Sequence, residues 1–115
     1  MPHCIIEYST TLAELTSAET LVSTVHQAAI DSLLFKPEHI KTRSIAYQTF
    51  RLGDHHTHFL HVTVRLHQGR TLEQKKRLNN LIVERLCTTL PLFDINITAE
   101  TVEMDTTTYV KTTLA

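Results

Sequence analysis

The chain has 115 residues, 42% of them hydrophobic, and a formal net charge of −1, enough for one buried core and too little for two, so a single domain over residues 1–115 is expected. No basic surplus argues for nucleic acid, and no stretch approaches the roughly 20 apolar residues that cross a bilayer. The start lacks a signal-type apolar run, and Cys4 and Cys87 are too far apart to suggest a zinc site, so a cytoplasmic protein with free thiols is expected.

Met1-Pro2-His3 opens the chain, and residues 3–8 form a nearly continuous apolar run bounded by Ser9-Thr10-Thr11. That pattern suits a strand covered on both faces. If Met1 is removed, Pro2 carries a secondary amine at the end of a rigid strand, whereas proline elsewhere is an amide nitrogen without basicity. An α-amino group titrates near about 7.7–8.0, and burial or neighbouring cations lower that value, so Pro2 is a candidate general base. The plainer alternative is a proline that only favours methionine removal and starts a strand.

Thr16-Ser17-Ala18-Glu19 reads as a capping box for a helix over about 17–34, with Leu21, Val22, Val25, Ala28, Ala29 and Leu33 at helical spacing until Pro37 forbids continuation. Ile40 to Leu52 reads as a strand running into a Gly53-Asp54 turn, with Lys41, Arg43, Ile45 and Tyr47 on its odd face. From His58 to His67 apolar and polar residues alternate over ten positions, the clearest strand in the chain. Gln68-Gly69-Arg70 turns the chain, and Thr71-Leu72-Glu73-Gln74 is a second capping box. It opens a helix with Leu78, Leu81, Ile82, Leu86 and Leu90 on one stripe and Pro91 at its end. A last strand is expected over about 95–104, followed by a threonine-rich tail, Thr106 to Ala115, that is mobile unless a partner chain covers it.

The order β-α-β is thus repeated, in halves of about 1–53 and 57–105, which reads as an internal duplication. Each half joins two parallel strands through a right-handed helical crossover. The expected fold is α/β (α+β), a four-stranded sheet with two helices on one face. Ile45, Tyr47 and Phe59 would then lie in water on the other face, so a homo-oligomer with facing sheets is expected.

Other signals carry less. His55, His56, His58 and His61 could hold a metal, but His55 and His56 fall in the expected turn, and His58 and His61 point to opposite faces without a carboxylate pair, so no metal is expected. Cys4 on an internal strand and Cys87 on the apolar side of a helix lack an activating base. Lys75-Lys76-Arg77 reads as the solvated face of the second helix.

The segment from Val62 through Gly69-Arg70-Thr71-Leu72-Glu73-Gln74 to Lys76 resembles the strand, Gly-Arg turn and helix start of the tautomerase superfamily. With Met1-Pro2-His3, Phe35, Pro37 and the Lys41 to Arg43 strand, the chain is similar to the 5-carboxymethyl-2-hydroxymuconate isomerase family from residue 1 to about 105. The resemblance implies a cofactor-free enol–keto isomerase of a small carboxylated enol in aromatic-acid catabolism, assembled as a homotrimer. It implies Pro2 as the base and Arg70 as a carboxylate clamp. A family arginine on the second strand aligns with Lys41, while another two residues on is retained as Arg43, so the second clamp falls to one of these. Lysine keeps the charge but loses the planar fork that grips a carboxylate bidentately. Arg70, projecting from its turn, is expected to serve binding while contributing little to stability. The alternative is a tautomerase-fold binding or assembly subunit without catalysis.

Neither half is complete by itself. The first has the terminal proline without a Gly-Arg turn, and the second has the turn without a terminal amine. Base and clamp therefore come from different halves or from neighbouring chains.

Overall fold

A computed structural model describes residues 2–53, 56–90 and 94–115. The regular elements are β1 (His3–Ser9), α1 (Ala18–Asp31), β2 (Lys41–Tyr47), β3 (His58–His67), α2 (Leu72–Thr89) and β4 (Ile95–Met104), with short 3-10 turns at Thr10–Glu14 and Pro37–His39. The strands form one sheet in the order β2-β1-β3-β4. Each half supplies a parallel pair, β1 with β2 and β3 with β4, and the two pairs meet antiparallel at β1 and β3. The expected duplicated topology is therefore observed.

Alternation sets the layers. Cys4, Ile6 and Tyr8 of β1 and Leu60, Val62, Val64 and Leu66 of β3 are buried against Leu21, Val25, Ala28 and Ala29 of α1 and Leu78, Ile82 and Leu86 of α2. Burying such aliphatic side chains contributes about 1.5–3 kcal/mol apiece, which makes this layer the main source of stability. Only one face of β1 is covered: His3, Ile5 and Glu7 are half-buried on the other. The apolar run therefore reflects a central strand next to an open sheet face, not one enclosed on both sides. That open face holds polar contacts, with the Tyr47 hydroxyl bonded to Glu7 and His61 bonded to Thr98 at 2.7 Å and Glu100 at 2.6 Å. Ile45 stands 51% exposed on it.

Several expected boundaries move for local reasons. The first helix is capped by Ser17, whose hydroxyl accepts from the Thr20 N–H at 3.1 Å, rather than by a box from Thr16. Glu19 then sits too early to reach back to the cap, and it accepts from Ser23 instead. The same helix ends at Asp31, not near residue 34, because Leu33 takes φ 62, the left-handed conformation that terminates helices. This reversal leaves Leu33 87% exposed, off the apolar stripe. The second strand stops at Tyr47, and Phe50 turns back to pack edge-on to Phe59 at 5.5 Å. Cys87 is exposed rather than on the apolar side of α2. The Thr71 capping box is present on both sides, with Thr71 accepting from Gln74 and Gln74 accepting from Thr71. Asp54, His55 and Pro91 lie outside the described residues.

Candidate active site

The elements bring the sequence-marked residues to one end of the sheet, on two sides of it. Pro2 is fully buried, and strand alternation carried one residue back from His3 places its ring on the helix side. Its carbonyl accepts the Lys41 N–H at 3.1 Å, which docks the start of β1 beside the start of β2.

Arg70 belongs to the same side. Gly69, at φ 121, reverses the chain in a conformation that L side chains rarely adopt, and the next residue projects toward the segment leaving α1. There the Arg70 guanidinium donates to the Leu34 carbonyl at 2.9 Å and lies 4.9 Å from the centre of the Phe35 ring. Phe35 is itself part of the core. Arg70 thus ties the loop after β3 to the loop before β2, beside an open cleft of about 390 Å³.

The other cations stand on the open face. In the strand register His3 is level with Lys41 on one side and with Arg65 on the other, and Arg43 is two residues further along β2. Lys41 and Arg43 are brought together as their spacing implied, but the sheet separates both from Arg70. Arg43 donates to Nδ1 of His3 at 3.1 Å, so that nitrogen is unprotonated and Nε2–H donates to the Tyr109 hydroxyl at 2.9 Å. Partial burial, reinforced by the Arg43, Lys41 and Arg65 charges, holds the His3 pKa below its ordinary value. The ring is therefore a neutral link between a cation and a phenol.

Tyr109 comes from the tail, whose first residues the structure seats on its own sheet while Val110 to Ala115 stand exposed. Asp105 starts a turn whose carbonyl accepts from the Thr108 and Tyr109 amides at 3.2 and 3.0 Å. Tyr109 meets the His67 ring edge-on at 5.0 Å, and His67 bonds Thr106 at 3.1 Å. Sequence reading missed His3, Arg65 and Tyr109. The period-two pattern gave the face of the first two, but nothing local tied Tyr109 to them.

The remaining candidates are engaged elsewhere. Cys4 is buried, and loss of water pushes its thiol up to about 11, so it is protonated and inert as a nucleophile. His58 bonds Thr11 at 2.7 Å, while His56 bonds Asp94 at 2.8 Å.

The geometry gives a buried strand start with arginines and a lysine around it, an arrangement able to hold carboxylates and to stabilise negative charge on a conjugated acid. The 5-carboxymethyl-2-hydroxymuconate isomerase family model matches residues 2–113. No curated protein matches the chain. Among solved structures, the 5-carboxymethyl-2-hydroxymuconate isomerase of Deinococcus radiodurans R1 is similar with TM-score 0.83 and 20% identity, over 96% of this chain and 88% of that one. A 5-carboxymethyl-2-hydroxymuconate delta-isomerase gives TM-score 0.86 and 16% identity over 98% and 89%. A wild-type fused 4-OT symmetric trimer gives 0.68 and 17% over 88% and 85%. At these identities the structural likeness is one of fold; the family match spans nearly the whole chain, and the protein, an isomerase of the tautomerase kind, belongs to the 5-carboxymethyl-2-hydroxymuconate isomerase family.

Proposed function

We propose that the protein is a cofactor-free enol–keto isomerase of a small polycarboxylate dienol, 5-carboxymethyl-2-hydroxymuconate in aromatic-acid catabolism, with Pro2 as its general base. The observation that carries this reading is the family match from residue 2 to residue 113, which includes Pro2 and the Gly69-Arg70 turn. The Pro2 amine, once free, takes the hydroxyl proton of the dienol. The double bonds shift along the conjugated chain, and the ammonium returns a proton to carbon, leaving the ketone and the free amine. No electron acceptor is needed.

Arg70, Arg43 and Lys41 are the carboxylate-binding cations of this reading. Arg70 lies on the helix side and the other two on the open face, so they meet at one substrate where two chains adjoin. That requirement supports a homotrimer, and the similar fused 4-OT structure is a symmetric trimer. The two free cysteines support a cytoplasmic setting.

The test is the N-terminus. Intact mass reports whether Met1 has been removed. A variant carrying one extra residue ahead of Pro2 is expected to lose about 10²–10⁴-fold in turnover, the usual contribution of a general acid–base group, while Pro2→Ala keeps part of it through a primary amine. An extended protein that isomerised the muconate enol at the wild-type rate would exclude Pro2 as the base.

A further inference from the structure

The tail segment from Asp105 borders an open cleft of about 540 Å³ on the open sheet face, lined by His3, Arg43, Arg65 and Tyr109. Two cations, Arg43 and Arg65, and two carboxylates, Glu103 and Asp105, are among its lining residues. Among the described residues, the ion pairs leave Arg43 and Arg65 without a carboxylate partner. Of the acidic groups at the rim, Glu103 is paired with Lys75 at 3.4 Å, while Asp105 accepts from the Thr107 N–H at 3.0 Å and keeps its charge. His3, which accepts from Arg43 and donates to Tyr109, adds no charge of its own.

Arg43 and Arg65 stand on the two strands that flank β1, level with Ile5 and His3 respectively, with backbones roughly 12 Å apart at the usual strand spacing and rise. Their long side chains enter the cleft from opposite sides. Two guanidiniums on one cleft suit an anion with at least two acceptor groups, because each fork can grip one carboxylate. Tyr109, fixed by His3 and by the His67 ring, forms the wall toward solvent.

We propose that this cleft is a binding site for a small di- or tricarboxylate, with Arg65 as a cation that works alongside Arg43. The inference rests on the isomerase reading only for the carboxylate class of the ligand. Arg65 is exposed on β3, so replacing it does not disturb the core.

Calorimetric titration with tricarballylate, a saturated tricarboxylate that has no enol to isomerise, tests the site apart from catalysis. Arg65→Ala is expected to weaken binding by about tenfold or more, and Arg65→Lys to recover part of the loss. Arg51→Ala, which removes an equal charge outside the cleft, should leave affinity unchanged. Failure of the wild type to bind, wild-type affinity in Arg65→Ala, or equal losses in Arg65→Ala and Arg51→Ala would each overturn the proposal. Turnover of the muconate enol is measured on the same preparations. Arg65-dependent binding without turnover sinks the isomerase reading and keeps this site, whereas turnover with Arg65-independent binding does the reverse.

Discussion

Arg70 has a structural role that its sequence context concealed. The Gly-Arg turn announced a projecting guanidinium, and binding with little effect on stability was the expectation. Its partner, the Leu34 carbonyl, comes from a segment 36 residues away, and no local pattern could reveal it. The contact joins two loops, and the Phe35 ring beneath adds a cation–π interaction. Because Arg70 is only half-buried, the two contacts together are worth about 1–2 kcal/mol. Arg70→Ala is therefore expected to lower the thermal midpoint by about 3–8 °C, besides cutting kcat/KM. Arg70→Lys should lose most of the same stability, since an ammonium cannot stack and donate in the same plane. An unchanged midpoint in a calorimetric scan of Arg70→Ala would show that the bond to Leu34 contributes nothing, and the residue would return to a purely substrate-facing role.

The elements that sequence reading located well carry their signals locally. β3 matches its alternating pattern residue for residue, β4 falls where it was expected, and α2 begins at its capping box. The tail was the opposite case. Its threonines have no period, and what seats it is Tyr109 meeting His3, 106 residues away in the chain. That docking has a pH signature. His3 faces Arg43 and Lys41 of β2, Arg65 of β3 and Tyr109 of the tail, and burial and the cations hold it below its ordinary value. In the unfolded chain it titrates near about 6.5. Between the two values the unfolded state binds the extra proton, so stability rises with pH. The contribution is present above the unfolded value and lost as pH falls through the depressed folded one. His39 is shifted in the same direction, so the comparison must be made between variants. The wild-type thermal midpoint is expected to fall more steeply from about pH 7 to about pH 5 than that of His3→Gln, which cannot be protonated. Parallel slopes would mean that His3 does not govern the docking.

A single chain leaves one face of its sheet underused. Helices bury the inward side chains of the two central strands on the other face, yet here Ile45 is 51% and Tyr47 36% exposed, with Phe59 beside them packing against Tyr47 at 6.1 Å. β2 is also an edge strand, and an edge strand can pair with the backbone of another chain. An apolar patch next to an open edge is the usual mark of an interface. Burial of Ile45 alone would contribute about 1.5 kcal/mol per chain or more at such a contact, while inside one chain Ile45 supports nothing in the core. Ile45→Glu therefore separates folding from assembly. In sedimentation at micromolar concentration the wild type is expected near three times the 13.1 kDa chain mass, and Ile45→Glu near one chain mass with its helical circular dichroism intact. On the proposed assignment, in which Arg70 and the Lys41–Arg43 pair meet at one substrate across a chain boundary, the same substitution should cut isomerase turnover. A wild type that sediments as a monomer and still turns over the enol would refute the shared site, and a fully active Ile45→Glu monomer would do so equally.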